Sequence, residues 1–236
     1  MTDWSQLKHA YGSAQDIPAL FSRLEAEPTR ELWSDLWSRL CHQGSTYSAS
    51  FAALAWLTDV ASQRGQNRDD ALLLAGAIVA GADEKTLAPY ADKIEPLRLL
   101  ANDRIREPAN PDVYVYLLQA AMAFDGVPVW SECLEGLAEE EYEASCPECE
   151  MGVFIVIGEA GYFSAVGDYE PGDPAGIPLR PALPDDLDGP ARQLYGAAYE
   201  AGAERVAVGL THLFGSATCA ECGSEFSVAE QVADQY

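Results

Sequence analysis

The sequence predicts a mainly α fold in which a helical repeat region, residues 1–131, is followed by a small α+β region, residues 132–236. Three features predict it. Apolar residues recur at helical spacing through most of the first region, and helical pairs separated by turn residues recur there about every 35 to 40 residues. Runs rich in β-formers begin only after Trp130, next to paired cysteines. With 236 residues, 48% of them apolar and 10% aromatic, the chain can bury a full core in one or two domains.

Asp16 is placed to cap a first helix running to about Glu25, with Ile17, Leu20, Phe21 and Leu24 on one face and Pro18 in the first turn, where its missing N–H costs nothing. Thr29 starts a second helix, whose wide apolar stripe of Leu32, Trp33, Leu36, Trp37 and Leu40 stops near Gly44. Tyr47 to Ser62 and Asp69 to Val79 form a second pair, the latter apolar almost all round and so buried on most sides. Leu87 to Arg104 and Val113 to Phe124 form a third, with Pro111 and Asp112 opening its second member. Pairs that cannot bury their own apolar faces stack on their neighbours, which favours an α-solenoid over an irregular bundle.

Within this region, Tyr11, Gly12, Ala14, Asp16 and Pro18, followed by His42, Gln43, Gly44, Tyr47 and Ala49, punctuate the helices in a pattern that resembles the opening of bacterial HEAT-repeat-like proteins. The resemblance spans Tyr11 to Leu57, about a fifth of the chain, and implies a HEAT-like fold without implying any catalytic residue.

After Trp130, a helix is expected over SECLEGLAEEEYE, then CPECE, then a hairpin through GVFIVIGEAGYFSAV that turns between Gly158 and Gly161. Residues 167–190 are dense in Pro, Gly and Asp and read as a surface loop. A helix from about Ala191 to Leu213 and a short tail complete the chain.

Cys146 with Cys149 and Cys219 with Cys222 are two CxxC pairs. Each pair puts two thiolates on one tight turn, and two such turns complete the tetrahedral shell of a structural zinc ion. Gly223, directly after the second pair, allows the positive φ that such turns use. The 69 intervening residues exceed those of a compact zinc ribbon, so hairpin, loop and helix must return the chain to the metal. The alternatives are redox dithiols or packed cysteines. Thioredoxin-like chemistry wants the motif at a helix N-terminus, and the charges of Glu148 and Glu221 would raise the neighbouring thiol pKa values.

Cys41 and His42 are adjacent on a helical pattern and cannot face each other, so a packed Cys41 and a helix-ending His42 are expected. His9 and His212 read as isolated, and Glu139, Glu140, Glu141 and Glu143 as a solvated helix face. Trp4, Trp33, Trp37, Trp56 and Trp130 are expected mostly in the core.

Thirty-eight acidic against 14 basic residues give a net charge of -24, unsuited to a nucleic-acid partner, since affinity for a duplex comes from Lys and Arg. The asymmetry is strong: residues 1–131 carry 17 acidic and 11 basic side chains, residues 132–236 carry 21 and 3. A solubility role alone accounts for an acidic surface; so does attraction of a basic protein. The absence of an apolar signal region or an 18-residue apolar run leads to a cytoplasmic protein with no membrane partner as the expectation. The expected function is a non-enzymatic protein-interaction module with structural zinc, one specific form being an immunity or antagonist protein that masks a cationic toxin. The alternative is an enzyme with an acidic site between the two regions, using Asp168, Glu170 and Asp173.

Overall fold

A computed structural model describes residues 2–167, 169 and 176–235, and helices hold most of them. The chain groups into two compact units, Met1–Arg104 with Ala120–Ser131, and Ile105–Gln119 with Glu132–Tyr236.

The first unit opens with a two-residue hairpin, β1 (Lys8–His9) and β2 (Gly12–Ser13), followed by α1 (Ile17–Ala26) and α2 (Arg30–Leu40). A second such hairpin, β3 (Cys41–His42) and β4 (Ser45–Thr46), is followed by α3 (Ser48–Ser62) and α4 (Arg68–Ala80). Ile17, Leu20, Phe21 and Leu24 of α1 and Trp33, Leu36 and Leu40 of α2 are buried, as an amphipathic stripe requires. Trp37, at the margin of that stripe, is 37% exposed rather than in the core. Asp16 precedes α1 but makes no side-chain cap; its carboxylate is turned to His9 Nε2 at 3.1 Å and to Arg39 at 2.6 Å. His42 lies on β3 rather than ending α2.

Each hairpin is fastened to the helices beyond it. The Lys8 amide donates to Ser48 Oγ at 2.9 Å, at the start of α3, and Thr46 Oγ1 donates to the Gly81 carbonyl at 3.2 Å, at the end of α4. Gly81 is needed there, because an added Cβ would lie 2.5 Å from the Gly44 carbonyl oxygen. The helix expected from Leu87 to Arg104 begins at Ala91 as α6 (Ala91–Arg104), preceded by the short α5 (Glu84–Leu87) and a 3-10 turn at Ala88–Tyr90. α3 packs on α4 and α6. α7 (Pro111–Phe124) has its residues from Ala120 in the first unit, where Ala120 meets Gly76 so closely that a Cβ on Gly76 would lie 2.5 Å from it.

The second unit departs from the sequence expectation in three places. The helix expected through SECLEGLAEEEYE is confined to a 3-10 turn and to α8 (Gly136–Glu139), which Glu140 ends with φ 66. Glu141–Ser145 is a strand, β5, with Tyr142 and Ala144 buried, Glu143 and Ser145 exposed, and Glu141 between the two: a period of two that the glutamate run masks. β6 (Gly152–Gly158) and β7 (Gly161–Ala165) form the expected hairpin, and β8 (Ile177–Pro178), inside the expected loop, extends the antiparallel sheet to the order β5-β6-β7-β8. The helix expected over 191–213 is two, α9 (Gly189–Glu200) and α10 (Glu204–Leu213), separated at Gly202, whose φ of 69 no continuous helix contains. A final hairpin, β9 (Ser216–Thr218) and β10 (Glu225–Ser227), leads into α11 (Val228–Ala233), which packs on β5 and α10.

Candidate metal centre

Both CxxC pairs sit at hairpin tips. Cys146 to Cys149 follows β5 and precedes β6, where Ser145 pairs with Gly152; Cys219 to Cys222 connects β9 to β10, where Thr218 pairs with Glu225. The backbone closes both turns in the same way. The amides of Cys146 and Cys219 donate to the carbonyls of Met151 and Ser224, and the amides of Glu150 and Gly223 donate back to Cys146 and Cys219, all four at 2.9 Å. The residue after each second cysteine takes a left-handed conformation, Glu150 with φ 59 and Gly223 with φ 77. Two tips of matching geometry therefore face each other, although only one of them has the expected glycine.

The four sulfur atoms lie within 4.8 Å of one another. Cys146 Sγ is 3.6 Å from Cys222 Sγ, and Cys149 Sγ is 3.8 Å from Cys219 Sγ, so each contact joins the two turns rather than the two ends of one motif. Cys146 and Cys219 are buried, while Cys149 and Cys222 are exposed. Four thiols in this arrangement can hold one metal ion. Among the described residues this is the one group of His, Cys, Asp or Glu with such a geometry.

Charge in the cluster is unevenly held. The Ser224 hydroxyl, 3.3 Å from Cys222 Sγ, and then the Ser224 amide bring the Cys222 thiol down to about 6. The rise expected from the neighbouring glutamates is not what governs Cys222, where the Ser224 hydrogen bonds lower the thiol. At Cys149 the Met151 amide lowers the pKa, but burial and hydrogen bonds with the other three thiols outweigh it and push the thiol up to about 12. The protons held in this way are released when a cation takes the thiolates.

Residues far away in sequence position the second tip. Ser164 on β7 is buried and donates to the Thr218 carbonyl at 2.8 Å, directly before Cys219. Arg180 and Ser216 exchange backbone hydrogen bonds at 2.9 Å, and the Glu225 carboxylate accepts from Arg180 at 2.9 Å and from Ser216 Oγ at 2.6 Å. A lone serine within an apolar hairpin run was the only trace of Ser164 in the sequence.

The remaining candidates lie elsewhere. Cys41 and Cys133 are buried apart from the cluster; burial raises both thiols, Cys133 to about 12 with help from Glu132 and Glu135. His9 is not isolated: Nε2 meets Asp16, and Nδ1 accepts from the Tyr11 amide at 2.9 Å. His212 stacks on Tyr162 with ring centres 4.1 Å apart, and burial lowers its pKa. The glutamates do not share a helix face: Glu139 ends α8, Glu140 pairs with Arg205, Glu141 accepts from Tyr169, and Glu143 is exposed on β5. Asp168, Glu170 and Asp173 lie outside the described residues. No described helix is long and apolar enough to cross a membrane. Comparison with family models, with curated proteins and with solved structures gives no match to this chain.

Proposed function

We propose that the chain is a non-enzymatic protein-interaction module, that Cys146, Cys149, Cys219 and Cys222 hold one structural zinc ion, and that the acidic surface of residues 132–236 engages a basic protein partner. Zinc suits the donor set, because a ZnS4 tetrahedron with bonds of about 2.3 Å has edges of about 3.8 Å, and the contacts between the turns are 3.6 and 3.8 Å. Four cysteines close the shell, so the ion holds structure and leaves no position to activate water. In the first unit, the recurrence of hairpin followed by helical pair supports a HEAT-like repeat, an architecture that presents extended contact faces.

The observation that carries the partner reading is the state of the three basic side chains among residues 132–236. Arg180 pairs with Glu225, Arg205 with Glu140 and, at 3.7 Å, with Asp112, and Arg192 donates to the carbonyls of Leu187 and Asp185. All three are engaged within the protein, and against the 21 acidic residues of the same stretch they neutralise only Glu140 and Glu225 there. Such a field accelerates association with cationic proteins and repels nucleic acid. A protein that masks a cationic toxin, as an immunity protein or antagonist, is the specific form proposed.

Affinity capture from native lysate at low and at high salt tests it. Retained proteins should be basic and should be released as salt screens the field. Retention of neutral or acidic proteins regardless of salt would overturn the partner reading and leave the metal assignment standing.

A further inference from the structure

The second unit carries an open groove that the metal centre does not use, a cavity of about 600 Å³ between the segment at Leu183 and Pro184, the α9 face bearing Tyr195 and Tyr199, and Val208 of α10. Three large apolar side chains are left uncovered in it: Leu183 is 65% exposed, Tyr199 71% and Val208 39%. Tyr195 and Tyr199, one helical turn apart, stack with ring centres 6.1 Å apart and an interplanar angle of 17°. Apolar side chains gathered on one concave surface mark an interaction site more specifically than the same residues scattered singly.

The groove is held in place without a ligand. The Ala182 amide donates to the Thr211 carbonyl at 2.8 Å, tying the segment to α10, and Arg192 on α9 clamps the carbonyls of Leu187 and Asp185 at 2.7 and 2.9 Å. A preformed site reduces the ordering cost of binding. Its rim carries carboxylates: Glu204 lines it, while Asp185 and Glu200 adjoin lining residues in sequence, and none of the three has an ion-pair partner among the described residues. Arg180 and Arg205, which also adjoin lining residues in sequence, are committed to Glu225 and Glu140, and Arg192 to carbonyls.

We propose that this groove docks an extended, basic segment of the partner protein, with a proline or other apolar side chain seated on Leu183 and the tyrosine pair, and Lys or Arg reaching the carboxylate rim. The inference rests on the basic-partner reading and deepens it by giving that partner a place to bind. Aromatic-lined grooves suit extended proline-containing segments, and an exposed tyrosine face attracts a guanidinium or ammonium group. A second copy of the chain is a poor occupant, because each copy carries a net charge of -24.

The test is selection of a random peptide display library on the full-length protein, alongside Tyr199→Ser and Glu204→Gln variants shown to retain their metal and helical content. Peptides enriched on the wild type should combine Lys or Arg with an apolar anchor, and Tyr199→Ser should weaken their binding about tenfold or more. Glu204→Gln and added salt should weaken it further. Basic peptides that bind wild type and Tyr199→Ser equally would overturn the groove while leaving the basic-partner reading intact. Neutral or acidic peptides lost on Tyr199→Ser would overturn the proposed occupant and the basic-partner reading together. No enrichment on any of the proteins would overturn the groove as a peptide site.

Discussion

An added Cβ at Gly215 would lie 2.1 Å from the Arg180 carbonyl oxygen, which the backbone cannot yield without breaking the Arg180–Ser216 bridge that positions β9. Gly215→Ala is therefore expected to destabilise the second unit by about 1–3 kcal/mol in urea denaturation. Gly196, inside α9 with nothing within 4 Å of its would-be Cβ, is expected to behave oppositely, gaining up to about 1 kcal/mol as Ala. The buried Cys133 thiol makes a pH prediction. An unfolded thiol titrates near 9, whereas Cys133 is raised to about 12, so between these values the folded chain keeps a proton that the unfolded chain loses. Its contribution is complete below pH 9 and is lost as pH rises through 12, at up to about 1.4 kcal/mol per pH unit. Cys133→Ala should flatten that part of the stability–pH curve, and an unchanged slope would refute the assignment. At this scale the four clustered cysteines were legible because CxxC is a local pattern that reports a local turn. Ser164 and Ser224 were not, because strand register and a single hydroxyl orientation decide their roles.

Helices in the first unit were legible where an apolar stripe is long and bounded, as in α1 to α4. Thr29 is one such boundary: its side chain accepts from the Leu32 amide at 3.3 Å, and Thr29→Ala should cost about 1 kcal/mol, measured by thermal or urea unfolding of the first unit. The hairpins β1–β2 and β3–β4 leave no signal in the sequence because two-residue strands carry no period; they are held by contacts such as Lys8 with Ser48, which no local pattern announces. β5 reads as helix in the sequence because the glutamate run Glu139, Glu140, Glu141 and Glu143 extends into it, while only Tyr142 and Ala144 carry the alternation that sets its burial. The break between α9 and α10 rests on Gly202 alone, with φ 69. Gly202→Ala should therefore destabilise the second unit by about 1 kcal/mol or more, since no side chain occupies that conformation without strain. No loss on substitution would mean that α9 and α10 can join.

The mainly α composition and the change of character after Trp130 were readable at the scale of the whole molecule, because both are sums over many residues. The grouping of Ile105–Gln119 with the second unit was not, since it depends on packing partners remote in sequence. A metal ion bound by the four cysteines would contribute folding free energy on the order of 10 kcal/mol. Cys146→Ser should therefore strip hydrogen-exchange protection from β5 to β10 while leaving α1 to α6 of the first unit largely protected. Simultaneous loss of both would show a single cooperative domain. Zinc K-edge X-ray absorption of the purified protein tests the central claim most directly. The account predicts one zinc per chain with four sulfur neighbours at about 2.3 Å and no nitrogen or oxygen in the first shell. A mixed shell, or a protein that takes up no zinc, would contradict it.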